Sequence, residues 1–254
     1  MDQFNSSATE MNNIVNEIRT RFFAWLKTNP QKSGDLNMSE KIAQLPLVEP
    51  EDADPLTKKI YDDAEKRFQM VLNIFKVTGH APEMAEKMWN IFFEILSEGD
   101  PENGVDWYTK ELLILKSTKM GECLYCVTQH EVVAERLGVT PEKQNDIVGQ
   151  LYKDSPHYDE KEVAILDLCS HICLDPEQIP PEVWLKVKEY YNDGQIVEIV
   201  ATVGAYIQVS KFGDALGVQL EDAFTGHEPR LFTKEPPKSK AAAGHLEHFI
   251  ARTG

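Results

Sequence analysis

Apolar residues recur at every third or fourth position along most of this chain, and this spacing constrains the fold more than any other feature. The pattern is clear over residues 60–75, 84–96 and 196–216, where it marks the buried face of a helix. Strand-like alternation is scarce, and Asp193-Gly194 is interpreted as the end of a helix rather than as a hairpin turn. The sequence therefore predicts an all-α protein.

Proline, glycine and capping residues predict where several of these helices begin and end. Pro82, Pro141 and Pro181 stand where the first turn of a helix tolerates a missing N–H group. Asp159 and Glu162 have the spacing of a capping box. Glycines are predicted to end three helices, at Gly138, Gly194 and Gly217.

The chain is predicted to have three parts. Residues 1–45 form a helical extension, residues 46–220 an all-helical domain, and residues 221–254 a C-terminal tail. Pro46 and Pro50 interrupt the helical pattern between the first two parts. Because the tail is richer in polar residues, we expect it to lie irregularly on the body or on a neighbouring subunit.

The composition excludes several classes of partner. The formal net charge of the 254-residue chain is −16, and such a charge repels nucleic acid and anionic lipid. No run reaches the roughly 18 apolar residues of a membrane span, and residues 1–16 lack the basic and apolar parts of a secretory signal. We therefore predict a cytoplasmic protein that has neither nucleic acid nor a membrane as its partner.

Two of the four cysteines form the strongest candidate for chemistry. Cys123 and Cys126 come where a new helix begins, and the unpaired N–H groups of a helix start favour thiolate over thiol. Their three-residue offset puts both sulfurs on one face, within reach of a disulfide. His130 follows four residues later on the same face. The spacing indicates three reactive groups that point to one spot.

Glu111 is the fourth candidate residue of this site. It lies in the helix predicted over residues 107–119, directly before the helix of the cysteines. If the two helices pack antiparallel, the carboxylate comes back over the cysteine pair. It could then relay protons to a thiol through His130 or through a water molecule.

Other interpretations of the same residues stay open. The two cysteines could be small core residues, or Cys123, Cys126, His130 and Glu111 could bind zinc. A structural zinc site usually joins two separated ligand pairs, and no second CxxC exists here, so we expect no metal and no cofactor.

Three further sets of residues are given structural roles. Cys169 and Cys173 lie in an apolar run and are interpreted as buried structural cysteines. His80 and Glu198 are interpreted as capping or surface partners rather than as catalysts.

The stretch from Lys110 through the motif Glu111, Cys123, Cys126 and His130 to Gly138 resembles the carboxymuconolactone decarboxylase family. More closely, it resembles the alkylhydroperoxidase D (AhpD-like) branch. That branch has a glutamate, eleven residues, CxxC, three residues and then a histidine. The similarity covers about residues 45–220, with a later likeness to the family's closing helix over 196–217.

This resemblance implies an AhpD-like helical bundle that assembles into a homo-oligomer, a trimer or a hexamer, and reduces hydroperoxides. It implies that Cys126 is the peroxidatic thiol, that Cys123 resolves the sulfenic acid and meets the outside reductant, and that Glu111 and His130 relay protons. The reductant would be a dithiol or a lipoyl or thioredoxin-like partner. The chain departs from well-known members at Tyr125, where they carry histidine.

Two alternatives to a thiol peroxidase of antioxidant defence remain from the sequence. The first is a disulfide reductase or redox-sensing module without efficient peroxidase activity. The second is a helical scaffold with inert, buried thiols.

Overall fold

The computed structural model describes residues 43–100 and 102–224 of the chain. Within these ranges the regular structure consists of helices, and no strand occurs in them. The predicted all-α class is therefore confirmed. Nearly all of the predicted extension, 1–45, and residues 225–254 of the predicted tail lie outside the described residues, so the division into three parts stays a prediction.

Nine α-helices follow one another in the described ranges. They are α1 (Pro55–Phe68), α2 (Asn73–Thr78), α3 (Pro82–Ile95), α4 (Trp107–Met120), α5 (Leu124–Arg136), α6 (Pro141–Asp146), α7 (Glu160–Leu174), α8 (Pro181–Lys188) and α9 (Asp193–Leu216). Three short 3-10 turns are Leu151–Lys153, Pro176–Gln178 and Asp222–Phe224. The predicted helix starts at Pro82, Pro141 and Pro181 and the capping box before α7 are confirmed.

The apolar stripe over residues 60–75 is divided between two helices. Gln69 ends α1 with a left-handed backbone (φ 59°), and its N–H donates to the carbonyl of Glu65 at 2.8 Å. Phe68 of α1 and Phe75 of α2 still pack against each other across this break, with ring centroids 5.9 Å apart. A shared buried face therefore does not require one continuous helix.

The prediction that the helix from Pro181 runs to Gly194 is wrong. Helix α8 ends at Lys188, and Asn192 caps a new helix, α9. The Asn192 side chain accepts from the N–H of Gln195 at 2.9 Å, and the Gln195 side chain accepts from the N–H of Asn192 at 3.0 Å. This reciprocal cap starts α9 and places Gly194 in its first turn.

Helices α4 and α9 join two hydrophobic clusters. The first cluster packs α4 and α9 against α7 and α8, through residues such as Leu113, Leu166 and Val203. The second packs α4 and α9 against α1, α2 and α3, through residues such as Phe75 and Ile114. The cysteine pair belongs to the second cluster, so it sits inside the fold rather than on a loop.

Helix α4 is almost entirely buried although it carries several charged side chains. Lys110 pairs with Glu198 of α9, and Lys119 pairs with Glu131 of α5, both at 2.6 Å. A charge buried without a partner costs several kcal/mol, so these ion pairs constrain how α5 and α9 pack on α4.

Helix α9 is long and apolar enough to cross a membrane by length and composition alone, with a mean hydropathy of 1.2. Half of that apolar stretch is buried inside the fold. This burial is typical of a core helix, and α9 supplies core residues to both clusters.

A substitution of Gln69 tests whether the helix α1 ends there with a left-handed backbone. We expect Gln69→Gly to raise the free energy of unfolding by about 0.5–1 kcal/mol, because glycine adopts this conformation without the Cβ penalty. The matched control is Gln208→Gly on the exposed side of α9, which should lower it by about 1 kcal/mol. Urea denaturation of both variants measures the difference. A loss of stability in the Gln69 variant would contradict the assigned backbone.

Candidate active site

The cysteine pair begins helix α5. Cys123 is the N-cap residue, and its Sγ accepts from the N–H of Cys126 at 3.3 Å. The two cysteines form a disulfide with a Cα–Cα distance of 5.4 Å. The cap conformation of Cys123 lies outside the helix proper, and this frees its sulfur to reach Cys126. The predicted position of the pair at a helix start is confirmed.

The turn between α4 and α5 brings the predicted carboxylate to the predicted histidine. Helix α4 ends at Met120, and the N–H of Cys123 donates back to the carbonyl of Thr118 at 3.2 Å. After this tight reversal, Nδ1 of His130 lies 2.7 Å from Oε1 of Glu111. Helix α5 therefore returns along α4, and this packing places Glu111 of α4 against His130 of α5.

The hydrogen bond to Glu111 determines what the His130 ring can do. A carboxylate accepts, so Nδ1 of His130 donates, and the neutral ring keeps Nε2 as an acceptor. Tyr206 of α9 packs edge-on against the imidazole, with ring centroids 4.9 Å apart. Burial, followed by the negative charge of Glu111, raises the pKa of Tyr206 well above its usual range, so it stays neutral. The imidazole is thus held in place by two helices.

The second carboxylate oxygen of Glu111 has no hydrogen-bond partner within the described part of the chain. Glu111 is fully buried, and so is its Oε2 atom. A buried carboxylate oxygen is ordinarily satisfied by a protein group or by a bound water molecule. This oxygen can accept a proton or a hydrogen bond from a molecule that enters the site.

Both sulfurs are nearly closed to solvent. Cys123 is 0% exposed and Cys126 is 4% exposed. Ser210 of α9 lies with its Oγ 3.8 Å from Sγ of Cys126. Both cysteines are buried in this oxidised form, and the role of Cys123 as the thiol that meets an outside reductant stays a prediction.

Tyr125, between the two cysteines, ties the site to two distant segments. Its hydroxyl donates to Oε1 of Glu221 at 2.8 Å and accepts from the N–H of Ile74 at 3.1 Å. Glu221 also accepts from Nε2 of Gln129 at 2.8 Å and from the N–H of Asn73 at 2.5 Å. Burial, with the charge of Glu221 next, raises the pKa of Tyr125 well above its usual range. One carboxylate thus joins α5, the start of α2 and the segment after α9.

The residues that were given structural roles from the sequence have the following surroundings, and those roles stay predictions. Cys169 is buried and Cys173 is half-buried. His80 contacts the carbonyl of Pro46 at 2.9 Å, and Glu198 accepts from the N–H of Val105 at 2.8 Å in addition to its ion pair.

The interpretation of the site as a zinc site requires a set of metal ligands in the structure. Residues 43–100 and 102–224 contain no group of three or more histidine, cysteine, aspartate or glutamate side chains that could hold a metal ion.

Three residues of the site were not predicted from the sequence: Tyr206, Ser210 and Glu221. Tyr206 and Ser210 lie in an apolar helix and look like ordinary core positions. Glu221 is separated from Tyr125 by 96 residues, and no local spacing indicates that contact. The only available signal was Tyr125 itself, a polar aromatic residue where the family carries histidine.

The contacts of Glu221 give a second testable prediction. Glu221→Gln should lower the free energy of unfolding by about 1–3 kcal/mol, because one end of an amide cannot accept the bonds that both carboxylate oxygens accept. The control is Asp222→Asn at the exposed neighbour, which should change it by less than about 0.5 kcal/mol. Urea denaturation measures both, and equal effects of the two substitutions would refute the role of Glu221.

Known proteins resemble this chain in sequence and in fold. Residues 82–167 match the carboxymuconolactone decarboxylase family. YdfG, an uncharacterised protein of Bacillus subtilis (strain 168), is 25% identical over 137 residues, which are 50% of this chain and 92% of YdfG.

Two solved structures illustrate the likeness in fold. One is an alkylhydroperoxidase AhpD core, a peroxidase-related protein of Ralstonia eutropha JMP134 (TM-score 0.63, 17% identity, 74% of this chain and 98% of that one). The other is the debrominase Bmp8 (TM-score 0.58, 19% identity, 73% of this chain and 94% of that one). At these identities the structures establish the fold alone. The fold of this chain is AhpD-like, and its residues 82–167 are similar to the carboxymuconolactone decarboxylase family.

Proposed function

We propose that this protein is a thiol-dependent peroxidase that reduces hydroperoxides through a dithiol–disulfide cycle of Cys123 and Cys126. The observation that carries the proposal is the 2.7 Å contact of His130 with Glu111 on the two helices that meet at the disulfide. A redox pair with a neighbouring acid–base pair has the groups that peroxide reduction requires.

The proposed cycle begins with the reduced pair. The Cys126 thiolate attacks one oxygen of a hydroperoxide ROOH, an S–O bond forms, and the O–O bond breaks. The departing RO⁻ takes a proton and leaves as the alcohol, while Cys126 becomes a sulfenic acid. The Cys123 thiol then attacks this sulfur and expels water, which gives the disulfide. An outside dithiol returns the pair to its reduced form.

His130 and Glu111 serve as the proton relay in this proposal. With Nδ1 bound to Glu111, Nε2 of His130 can take the thiol proton and later return it to the leaving RO⁻. The carboxylate stabilises the imidazolium that forms between these steps, and its unpartnered Oε2 can accept a further hydrogen bond.

Burial of the pair favours small reactants. A hydroperoxide is small enough to approach a residue as buried as Cys126, which is 4% exposed, whereas the surface of a folded protein requires local opening. We therefore propose that a small dithiol or a lipoyl group attacks Cys126 first, with a thioredoxin-like protein as the competing reductant. The thiolate that leaves is Cys123, which the helix start stabilises. The proposed setting is the cytoplasm.

Cys126→Ser should abolish peroxide consumption supported by a dithiol, because serine cannot form the sulfenic acid. Cys173→Ser is the same substitution at a half-buried position outside the site, and it should leave turnover within about twofold. Glu111→Gln should lower kcat by roughly 10²–10⁴-fold, which is the usual contribution of an acid–base group. Coupled peroxide assays measure all three variants, and full turnover of the Cys126 variant would exclude the mechanism.

A disulfide reductase or redox-sensing module is the second candidate. The contact that favours it is Tyr125 with Glu221, through which the redox state of the pair could reach the segment after α9. Stopped-flow mixing of reduced protein with hydroperoxides distinguishes the two candidates. Fast disulfide formation supports the peroxidase, and slow formation with rapid exchange against dithiols supports the alternative. A brominated pyrrole in the same panel tests the chemistry named for Bmp8, and thiols that react with nothing would indicate the scaffold.

We also propose a homo-oligomer, a trimer or a hexamer. Large apolar side chains are exposed on the outer faces of three helices: Ile91 of α3 (60%), Leu185 of α8 (67%) and Val197 of α9 (68%). A symmetric contact between subunits would remove such side chains from water.

Light scattering at micromolar concentration should give a mass of three or six chains. Val197→Lys should shift this mass towards the monomer, because a charge in an apolar contact is costly to desolvate. Lys58→Met, at an exposed position of α1, is a control that should leave the mass unchanged. A monomeric mass of the unmodified protein would contradict the proposal.

A further inference from the structure

Ser210 is a buried hydroxyl in the apolar helix α9, and the peroxide cycle described above does not use it. None of its surface is exposed (0%). Its Oγ lies 3.8 Å from Sγ of Cys126, a distance at which a hydroxyl donates to sulfur. Among the described residues this hydroxyl has no other hydrogen-bond partner. The side chain therefore directs its polar atom at one sulfur of the redox pair.

Other buried hydroxyls of this protein make a different bond. Thr128, Ser170 and Thr202 each donate to the carbonyl of the residue four positions earlier, at 2.8 Å. A serine or threonine inside a helix commonly satisfies its hydroxyl in this way. Ser210 also lies inside a helix, but its hydroxyl goes to the sulfur of another helix instead. The contact with Cys126 is therefore not a local requirement of α9.

The packing of α9 on α5 explains where Ser210 lies. Cys126 and His130 are four residues apart on α5, and Tyr206 and Ser210 are four residues apart on α9. Tyr206 packs edge-on against His130, with ring centroids 4.9 Å apart, while Ser210 contacts Cys126. Because residues at i and i+4 share a face of a helix, two faces of equal spacing meet in opposite chain directions. The packing that holds the imidazole thus also places the hydroxyl at the sulfur.

The two sulfurs of the pair have different hydrogen-bond donors. Sγ of Cys123 accepts from the N–H of Cys126 at 3.3 Å, so the helix start favours a thiolate at Cys123. The donor to Sγ of Cys126 is Ser210. A thiolate is a charged acceptor, and a hydrogen bond to a charged group is stronger than one to a neutral sulfur. The hydroxyl therefore stabilises Cys126 more as a thiolate than as a thiol or a disulfide.

We propose that Ser210 is the hydrogen-bond donor that makes Cys126, rather than Cys123, the attacking thiolate of the reduced pair. This assignment rests on the proposed function, in which Cys126 attacks the hydroperoxide. In that cycle the thiol proton goes to the His130 imidazole. The Ser210 proton stays on its own oxygen, and no covalent bond to Ser210 forms or breaks. Its effect is electrostatic and adds to that of the start of α5.

The first experiment follows Cys126 alone, in the full chain with Cys123→Ser, because serine is a good N-cap residue and cannot form the disulfide. The probe is iodoacetamide, which is small and uncharged, and peptide mass mapping gives its rate of reaction with Cys126 as a function of pH. Ser210→Ala in this background should move the midpoint of the rate–pH profile upward. Below that midpoint the rate should fall about threefold to tenfold, because the higher nucleophilicity of the thiolate partly offsets its smaller fraction.

Ser170→Ala, in the same background, is the matched control. It removes another buried hydroxyl, on α7, which contacts the carbonyl of Leu166 and the hydroxyl of Tyr152. It should leave the midpoint and the rate at Cys126 unchanged. An unchanged midpoint in the Ser210 variant would overturn the proposal, and so would an equal upward movement in both variants.

A second measurement tests the choice between the two sulfurs. The reduced chain with both cysteines is treated with a substoichiometric amount of iodoacetamide, and peptide mapping gives the ratio of modified Cys126 to modified Cys123. The unmodified protein should react mainly at Cys126. Ser210→Ala should move the ratio towards Cys123, whose hydrogen bond from the helix start remains. A preference for Cys123 in the unmodified protein would refute the assignment.

Neither measurement uses peroxide or turnover, so its failure is distinct from failure of the proposed peroxidase. Loss of peroxide consumption with both alkylation results intact would count against the peroxidase and not against Ser210. Peroxide consumption without the expected alkylation results would count against Ser210 alone.

Discussion

The buried charges of helix α4 are the constraint on which the rest of the structure depends. The helix is covered on nearly all sides, yet it contains three lysines and a glutamate whose charges cannot be left unpaired. Three of these four charges are paired with charged or titratable side chains, and the fourth, on Lys116, is met by the backbone carbonyls of Ile147 and Gly149. Lys110 takes a carboxylate of α9, Lys119 takes one of α5, and Glu111 takes the histidine of α5. The positions of α5 and α9 around α4 follow largely from these requirements.

The candidate site lies between the helices that these ion pairs hold together. Because α5 must return along α4 to pair with it, the start of α5 and its cysteines come to lie at the turn, and His130 comes to lie over Glu111. Helix α9 then closes the site with Tyr206 against the imidazole and Ser210 near Cys126. Substitution of a charged residue of α4 would therefore disturb the packing of α5 or α9 together with the site.

The two cysteine pairs show how one residue of spacing changes thiol chemistry. The i, i+3 pair at a helix start includes a cap residue with non-helical backbone and closes into a disulfide. The i, i+4 pair of α7 lies within helical backbone and holds its two sulfurs apart by geometry.

By itself the sequence determined the features that arise within a few residues. Helical periodicity, proline at first turns, the capping box before α7 and the placement of two cysteines at a helix start all depend on local hydrogen bonds and backbone preferences. The spacing of Glu111, Cys123, Cys126 and His130 was visible for the same reason.

The distant side chains that complete the site are brought together by packing between helices. The contact of Glu221 with Tyr125, the packing of Tyr206 on His130, and the burial of both sulfurs come from segments far apart in the chain. The helix boundaries differed from the prediction at two places. Gln69 ends a helix within one apolar stripe, and Asn192 begins a helix next to Gly194, which was expected to end one. The spacing of apolar residues indicates which face of a helix is buried, but it does not indicate which other helix packs against that face.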